Sequence, residues 1–155
     1  MRKRSPVTDE QGVWIVGKEK IMEKDLILAT QYGDEIKVQL KISQYLSNGC
    51  IYIGLLSCTE DGLEPYGDIT VNLREGAPEY CGYINTDKMP EIEKFLIKND
   101  IGEFTGIRGF SGFGKYPMYL FNAERLRELC PESMARYEAN LRSAKVYQPG
   151  PGRSR

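Results

Sequence analysis

Glu35-Ile36-Lys37-Val38-Gln39-Leu40-Lys41-Ile42 decides the fold class. Aliphatic and polar residues alternate through it, the period of a β-strand with one buried face. Asn48-Gly49 then signals a turn. Cys50-Ile51-Tyr52-Ile53-Gly54-Leu55-Leu56-Ser57-Cys58 is apolar on both faces, as a central strand is, and Glu60-Asp61-Gly62 marks the next turn. Ile69, Val71 and Leu73 alternate with Asp68, Thr70 and Asn72 to give a third strand, and residues 80–84 supply a fourth. Sequential strands joined by short turns are most simply an antiparallel meander.

The period changes after residue 85. Thr86 or Asp87 can cap a helix whose first turn holds Pro90 and Glu91. Ile92, Phe95 and Leu96 then form one apolar stripe, and Gly102 ends the element. Residues 102–115 read as a flexible loop with glycines at 102, 106, 109, 112 and 114. Tyr116–Phe121 is a last strand, with Pro117 pointing to an edge position or the strand start. Asn122 is a good N-cap for a helix over 123–129, and Pro131 should break or kink it. Met134, Tyr137 and Leu141 resume an apolar stripe beyond.

The predicted fold is α+β, a four- to five-stranded, mostly antiparallel sheet with helices packed on one face. Ile51, Ile53, Leu55, Ile69, Val71 and Leu73 should face that core with Ile36, Val38, Leu40 and Ile42. Tyr52 and Leu56 point the other way, so the segment around Trp14 or a homodimer interface is expected to cover part of the second face. Residues 1–30 form an N-terminal extension, flexible at its start, with either a short helix or a strand over 18–30. Residues 31–144 are a single domain, and 145–155 a disordered basic tail.

Composition removes several function classes. The chain has 155 residues and no histidine. That excludes Ser-His-Asp and Cys-His catalysis, His-ligated zinc and imidazole acid–base chemistry. Cys50, Cys58, Cys81 and Cys130 form no CxxC pair, and buried, reduced thiols in a cytoplasmic protein are the expectation. The basic start Met1-Arg2-Lys3-Arg4 precedes no apolar signal segment, and no apolar run is long enough to span a bilayer. Setting aside Arg2, Lys3, Arg4, Arg153 and Arg155 leaves 16 basic residues against 22 acidic. A body charge near −6 is far short of the density needed to mimic a duplex.

The stretch from Gly109 to Lys115 matches the G-x-x-x-x-G-K of a phosphate-binding loop, but Tyr116 stands where a magnesium-binding Ser or Thr is required. Pro117 and a strand-like run follow, where phosphate binding needs a helix N-terminus. Arg108-Gly109-Phe110 opens like an RNA-binding ribonucleoprotein motif. Phe110 and Phe113 are three apart, on opposite faces of any regular strand. The acidic turn at 60–68 lacks the spacing of a calcium loop, and Cys81 has no cationic neighbour to activate it. No catalytic residue, cofactor or metal site emerges.

What remains is Phe104, Arg108, Phe110, Phe113, Lys115 and Tyr116. Either these aromatics fold inward and cap the core, or they and the two cations form a binding surface. The polar strand face around Asp68, Thr70 and Asn72 is a second candidate contact.

Four ordered blocks resemble a known family. They are Glu64-Pro65-Tyr66-Gly67-Asp68-Ile69-Thr70-Val71-Asn72-Leu73; Tyr83-Ile84-Asn85-Thr86; Ile92-Glu93-Lys94-Phe95-Leu96 with Ile101-Gly102-Glu103-Phe104-Thr105-Gly106; and Ser111-Gly112-Phe113 with Tyr116-Pro117-Met118-Tyr119-Leu120-Phe121. Over about residues 35–130 the chain resembles the bacterial domain-of-unknown-function family numbered 4313. The resemblance implies a setting on conjugative and phage-like elements and carries no catalytic residues. The expectation is a non-enzymatic protein-interaction module of a mobile element, an inhibitor of a host defence factor being its finer form. The alternative is a nucleic-acid-binding accessory factor using the 102–116 segment and the basic tails.

Overall fold

The alternation that starts at Glu35 is one strand of an antiparallel sheet in a computed structural model that describes residues 25–147. The strands β1 (Leu26–Ala29), β2 (Glu35–Gln44), β3 (Ile51–Thr59) and β4 (Gly62–Asp68) lie side by side in that order. A second antiparallel sheet holds β5 (Thr70–Val71), β6 (Cys81–Ile84), β7 (Gly102–Ser111) and β8 (Gly114–Phe121), ordered β5-β6-β8-β7. The helices are α1 (Ile92–Lys98), α2 (Ala123–Leu129) and α3 (Pro131–Tyr147). The α+β class and the antiparallel pairing are as expected, with the strands divided between two sheets instead of one. No helix among the described residues is long and apolar enough to cross a membrane.

The chain passes from one sheet to the other at Ile69. The Ile69 amide donates to the Ile53 carbonyl of β3 at 2.8 Å, and the Ile69 carbonyl accepts from the Asn85 amide at 2.8 Å. The chain therefore leaves the first sheet at Asp68 and enters the second at Thr70. This breaks the strand expected over 68–73. Thr70, expected on the polar face, is buried, whereas Val71 is only half-buried.

One large core spans both sheets and the helices. Leu28, Val38, Ile53 and Leu55 pack in it with Ile84, Leu96, Tyr119, Phe121, Leu126 and Met134. Ile51, Leu40, Ile42 and Ile69 join it as expected, and Ile36 is partly buried against it. Leu73 instead belongs to a smaller cluster with Cys81, Tyr83 and Met118, against which Val71, Ala77 and Tyr116 pack. The segment around Trp14, proposed as a cover, lies outside the described residues, as does the tail from 148 onward. β1 falls within the stretch read as an N-terminal extension, and α3 runs to Tyr147.

Local signals hold at α2 and α3. The Asn122 side chain accepts a hydrogen bond from the Arg125 amide, and Pro131 opens α3. Met134 and Tyr137 are buried, with Leu141 packed beside them. Three other readings are corrected. Helix α1 starts at Ile92 without a side-chain cap, so Thr86 and Asp87 belong to turns that hold Met89 in the core. Asp100, at φ 59°, ends that turn of chain, and Gly102 opens β7. Pro117 lies in β8, which is an interior strand. It is tolerated because it sits opposite Arg108, where the pairing shifts between Phe104 and Arg108.

Candidate functional site

The stretch expected as a flexible loop is a hairpin. Residues 102–111 form β7 and pair with β8 through Glu103–Leu120, Phe104–Tyr119, Gly109–Tyr116 and Phe110–Lys115. The glycines serve the strand. Gly106, at φ 92°, lies in the irregularity between Phe104 and Arg108, and Gly112, at φ 59°, makes the tip. Gly109 is buried, and a Cβ there would come within 2.6 Å of both Leu73 and Tyr83.

The hairpin sorts the expected residues. Phe110 is 59% exposed and Phe113 fully, so these two do not cap the core, whereas the less exposed Phe104 ring lies tilted against the core residue Tyr119 at 6.0 Å. The Arg108 guanidinium lies 4.8 Å from the centre of the Phe104 ring, and the Lys115 ammonium 5.9 Å from that of Phe110. Each cation rests on an aromatic face, an attraction from the ring's negative quadrupole. Ile107 adds further exposed apolar surface. Sequence reasoning missed it because it isolates no pattern in a glycine-rich stretch. Among the described residues β7 is an edge strand, with no sheet partner on its outer side.

Asp68, Asn72 and Tyr116 belong elsewhere. They line a groove of about 820 Å³ together with Tyr45, Tyr66, Asp87 and Glu91. The Tyr52 hydroxyl donates to Asp68 at 2.6 Å, and the Tyr116 hydroxyl donates to Asp87 at 3.2 Å. Burial and the neighbouring carboxylate push both hydroxyls above the ordinary tyrosine value, so they remain donors. The Tyr66 hydroxyl is also raised, by burial and then by the charge of Glu91. Asn72 is tied down, accepting from Asn48 at 3.0 Å and donating to Ser47 at 3.1 Å. Tyr45, Tyr66 and Glu91 had no signal in the sequence, because only the fold brings these separate turns together.

The cysteines fit packing. Cys81 is buried in the smaller cluster, and burial pushes its thiol up. The Cys58 thiol is raised by burial and by Asp25, away from thiolate reactivity. Among the described residues no three carboxylate or thiol side chains are grouped to hold a metal ion.

The profile of a family described as a domain of unknown function, DUF4313, matches residues 39–141. No curated protein and no solved structure matches the chain significantly.

Proposed function

We propose that this chain, which belongs to the DUF4313 family of unknown function, is a non-enzymatic module gripping a protein partner through the β7–β8 hairpin. The observation that supports this is the exposed set of Phe104 and Phe110 on an edge strand and Phe113 at the hairpin tip, with Arg108 and Lys115 seated on the first two rings. Aromatic and arginine side chains are the usual energetic anchors of protein interfaces. The rings hold the cations in place, which lowers the ordering cost of docking.

Charge favours a protein over a nucleic acid. Residues 25–147 carry 13 basic side chains against 18 acidic. The Phe110 amide donates to Glu75 at 3.4 Å, and exposed Glu103 shares the strand, so the hairpin meets carboxylates as well as carrying cations. A phosphate backbone would meet repulsion there. In its finer form the proposal is inhibition of a host defence factor, in the mobile-element setting that the family resemblance implies.

The test is capture from a bacterial lysate, with and without nuclease, using the wild-type chain and the Phe110→Ala and Arg108→Ala variants. The expected result is a partner retained after nuclease, lost from both variants, with the melting temperature unchanged. Partners that vanish with nuclease, together with binding that weakens steeply with salt, would establish nucleic-acid binding instead. Capture that ignores both substitutions would exclude the hairpin.

A further inference from the structure

The first sheet buries one face in the large core, and its outward face carries more apolar surface than a solvated sheet needs. Where one face of an antiparallel sheet meets water, its strands present polar residues there. β2 does so with Lys37, Gln39 and Lys41. Its neighbours do not. Ile27 of β1 and Leu63 of β4 are 43% and 48% exposed, and Leu56 and Cys58 of β3 are half-buried. The pairing sets Leu56 opposite Pro65 and Cys58 opposite Leu63, with Ile27 opposite Lys37. At the other end of β3 the Tyr52 ring folds across Gly54, where a Cβ would collide with it, so that end is covered by the sheet's own side chain. The end holding Ile27, Leu56 and Leu63 has no such cover among the described residues.

The chain enters the sheet on this same face. The Asp25 carboxylate, just before β1, accepts from the Gln39 side-chain amide at 2.6 Å and from the Cys58 thiol at 3.7 Å, with the Lys37 ammonium 4.0 Å away. Gln39 and Cys58 stand opposite Leu56 and Leu63. The residues ahead of Asp25 are therefore delivered to the edge of the apolar patch. Among them is the run Val13-Trp14-Ile15-Val16. Residues 17–24 join that run to Asp25, and eight extended residues reach about 28 Å. Four strands about 4.8 Å apart are only about 14 Å across. The tether therefore reaches every part of the face.

We propose that residues 13–16 fold back over the outward face of the first sheet, with Trp14 seated on Ile27, Leu56 and Leu63. Aliphatic and indole side chains match that patch, and the Lys37 ammonium beside Ile27 suits an indole face. Attachment to β1 favours this occupant over a second copy of the chain, because a tethered segment meets its site at an effective concentration of about millimolar. The face shares no residue with the β7–β8 hairpin, so the inference stands apart from the reading of the hairpin as a docking element.

Trp14 is the only tryptophan, so selectively excited indole fluorescence of the full chain reports this segment alone. The folded chain should emit to the blue of the same chain in urea and resist acrylamide quenching. Ile27→Gln with Leu63→Gln alters exposed positions outside the large core, and an unchanged far-ultraviolet circular dichroism spectrum checks the fold. This variant should shift emission to the red and raise quenching toward the unfolded value, whereas Phe110→Ala should change neither. A second readout uses the thiols. Iodoacetamide labelling of Cys58, located by mass spectrometry, should be faster in Trp14→Ala than in the wild type, with Cys50 labelled at an unchanged rate. Equal emission and quenching in the folded and unfolded chain would overturn the proposal. So would a blue-shifted emission indifferent to the face variant, or Cys58 labelling indifferent to Trp14→Ala. A red shift on dilution, with dimers seen by sedimentation, would assign the cover to a second copy and overturn it as well.

Discussion

Tyr80 shows how one residue can be held in an unfavourable backbone conformation by its surroundings. Its φ of 64° lies in the left-handed region, which costs a residue with a side chain about 1–2 kcal/mol. Three contacts oppose that cost. Its amide donates to the Tyr137 hydroxyl at 3.0 Å, its ring meets Tyr137 edge to face at 5.6 Å, and its hydroxyl donates to Glu138 at 2.5 Å. Glu138 in turn accepts two hydrogen bonds from Arg127 of α2, at 3.1 and 2.7 Å. The guanidinium, and after it the Tyr80 hydroxyl, hold the Glu138 carboxyl down at about 2. The folded state therefore favours the charged form. As pH falls, the unfolded chain takes up its proton first, near the ordinary carboxylate value, and the native state loses stability. The stabilisation is present in full above that value, declines below it, and is gone once pH passes below about 2. Glu138→Gln should be less stable than the wild type at neutral pH, and the two denaturation midpoints should converge as pH drops through this window. A difference independent of pH would mean that the carboxylate charge does not hold Tyr80.

At the scale of elements, the β7–β8 hairpin shows what glycine conceals. Five glycines between 102 and 114 read as a loop because glycine weakens a strand. In the structure they answer separate demands, a bulge at Gly106, a tip at Gly112 and a close approach at Gly109. The last demand is testable. A methyl at 109 would press on Leu73, buried in the smaller cluster, and on Tyr83, whose hydroxyl is tied to the Gly76 carbonyl at 2.8 Å, so the Tyr83 ring cannot easily yield. Gly109→Ala should cost about 1–3 kcal/mol, as overpacking of a core does, read from the urea midpoint. A mobile loop would absorb the change at no cost. Strong local signals were legible nearby: the alternation of β2, the Asn122 cap, the Pro131 start and the stripe of Met134 and Tyr137. β4 was not legible. Its face is polar and exposed, and Pro65 sits opposite Leu56 next to a register shift. Phe104, Arg108, Phe110 and Lys115 were legible as a composition, and the structure supplies the cation-on-ring geometry that composition cannot. Asp68 and Asn72 were legible as a polar face, but Glu91 was not, since its partners across the groove come from turns distant in sequence.

The whole molecule depends on the step from one sheet to the other, and the alternation could not reveal it because a change of sheet leaves the local period intact up to Asp68. Ile69 bonds to both sheets, and Thr70 reinforces the junction from within. Its hydroxyl accepts from the Ile53 amide at 3.2 Å and is 2.8 Å from the Tyr45 hydroxyl. Thr70→Val keeps the shape and removes the oxygen. The Tyr45 hydroxyl retains the Thr70 carbonyl at 3.2 Å, but the Ile53 amide loses that buried acceptor. The expected loss is about 1–3 kcal/mol, the cost of a buried donor left unsatisfied. Because the large core takes residues from both sheets and all three helices, the weakened protein should still unfold in one step. Far-ultraviolet and tyrosine near-ultraviolet circular dichroism should give coincident urea transitions in the variant as in the wild type, and hydrogen exchange at the Ile53 amide should accelerate in the variant. Two separated transitions would mean that the second sheet is a unit of its own. An unchanged midpoint would mean that the main-chain bonds of Ile69 carry the junction without help from Thr70.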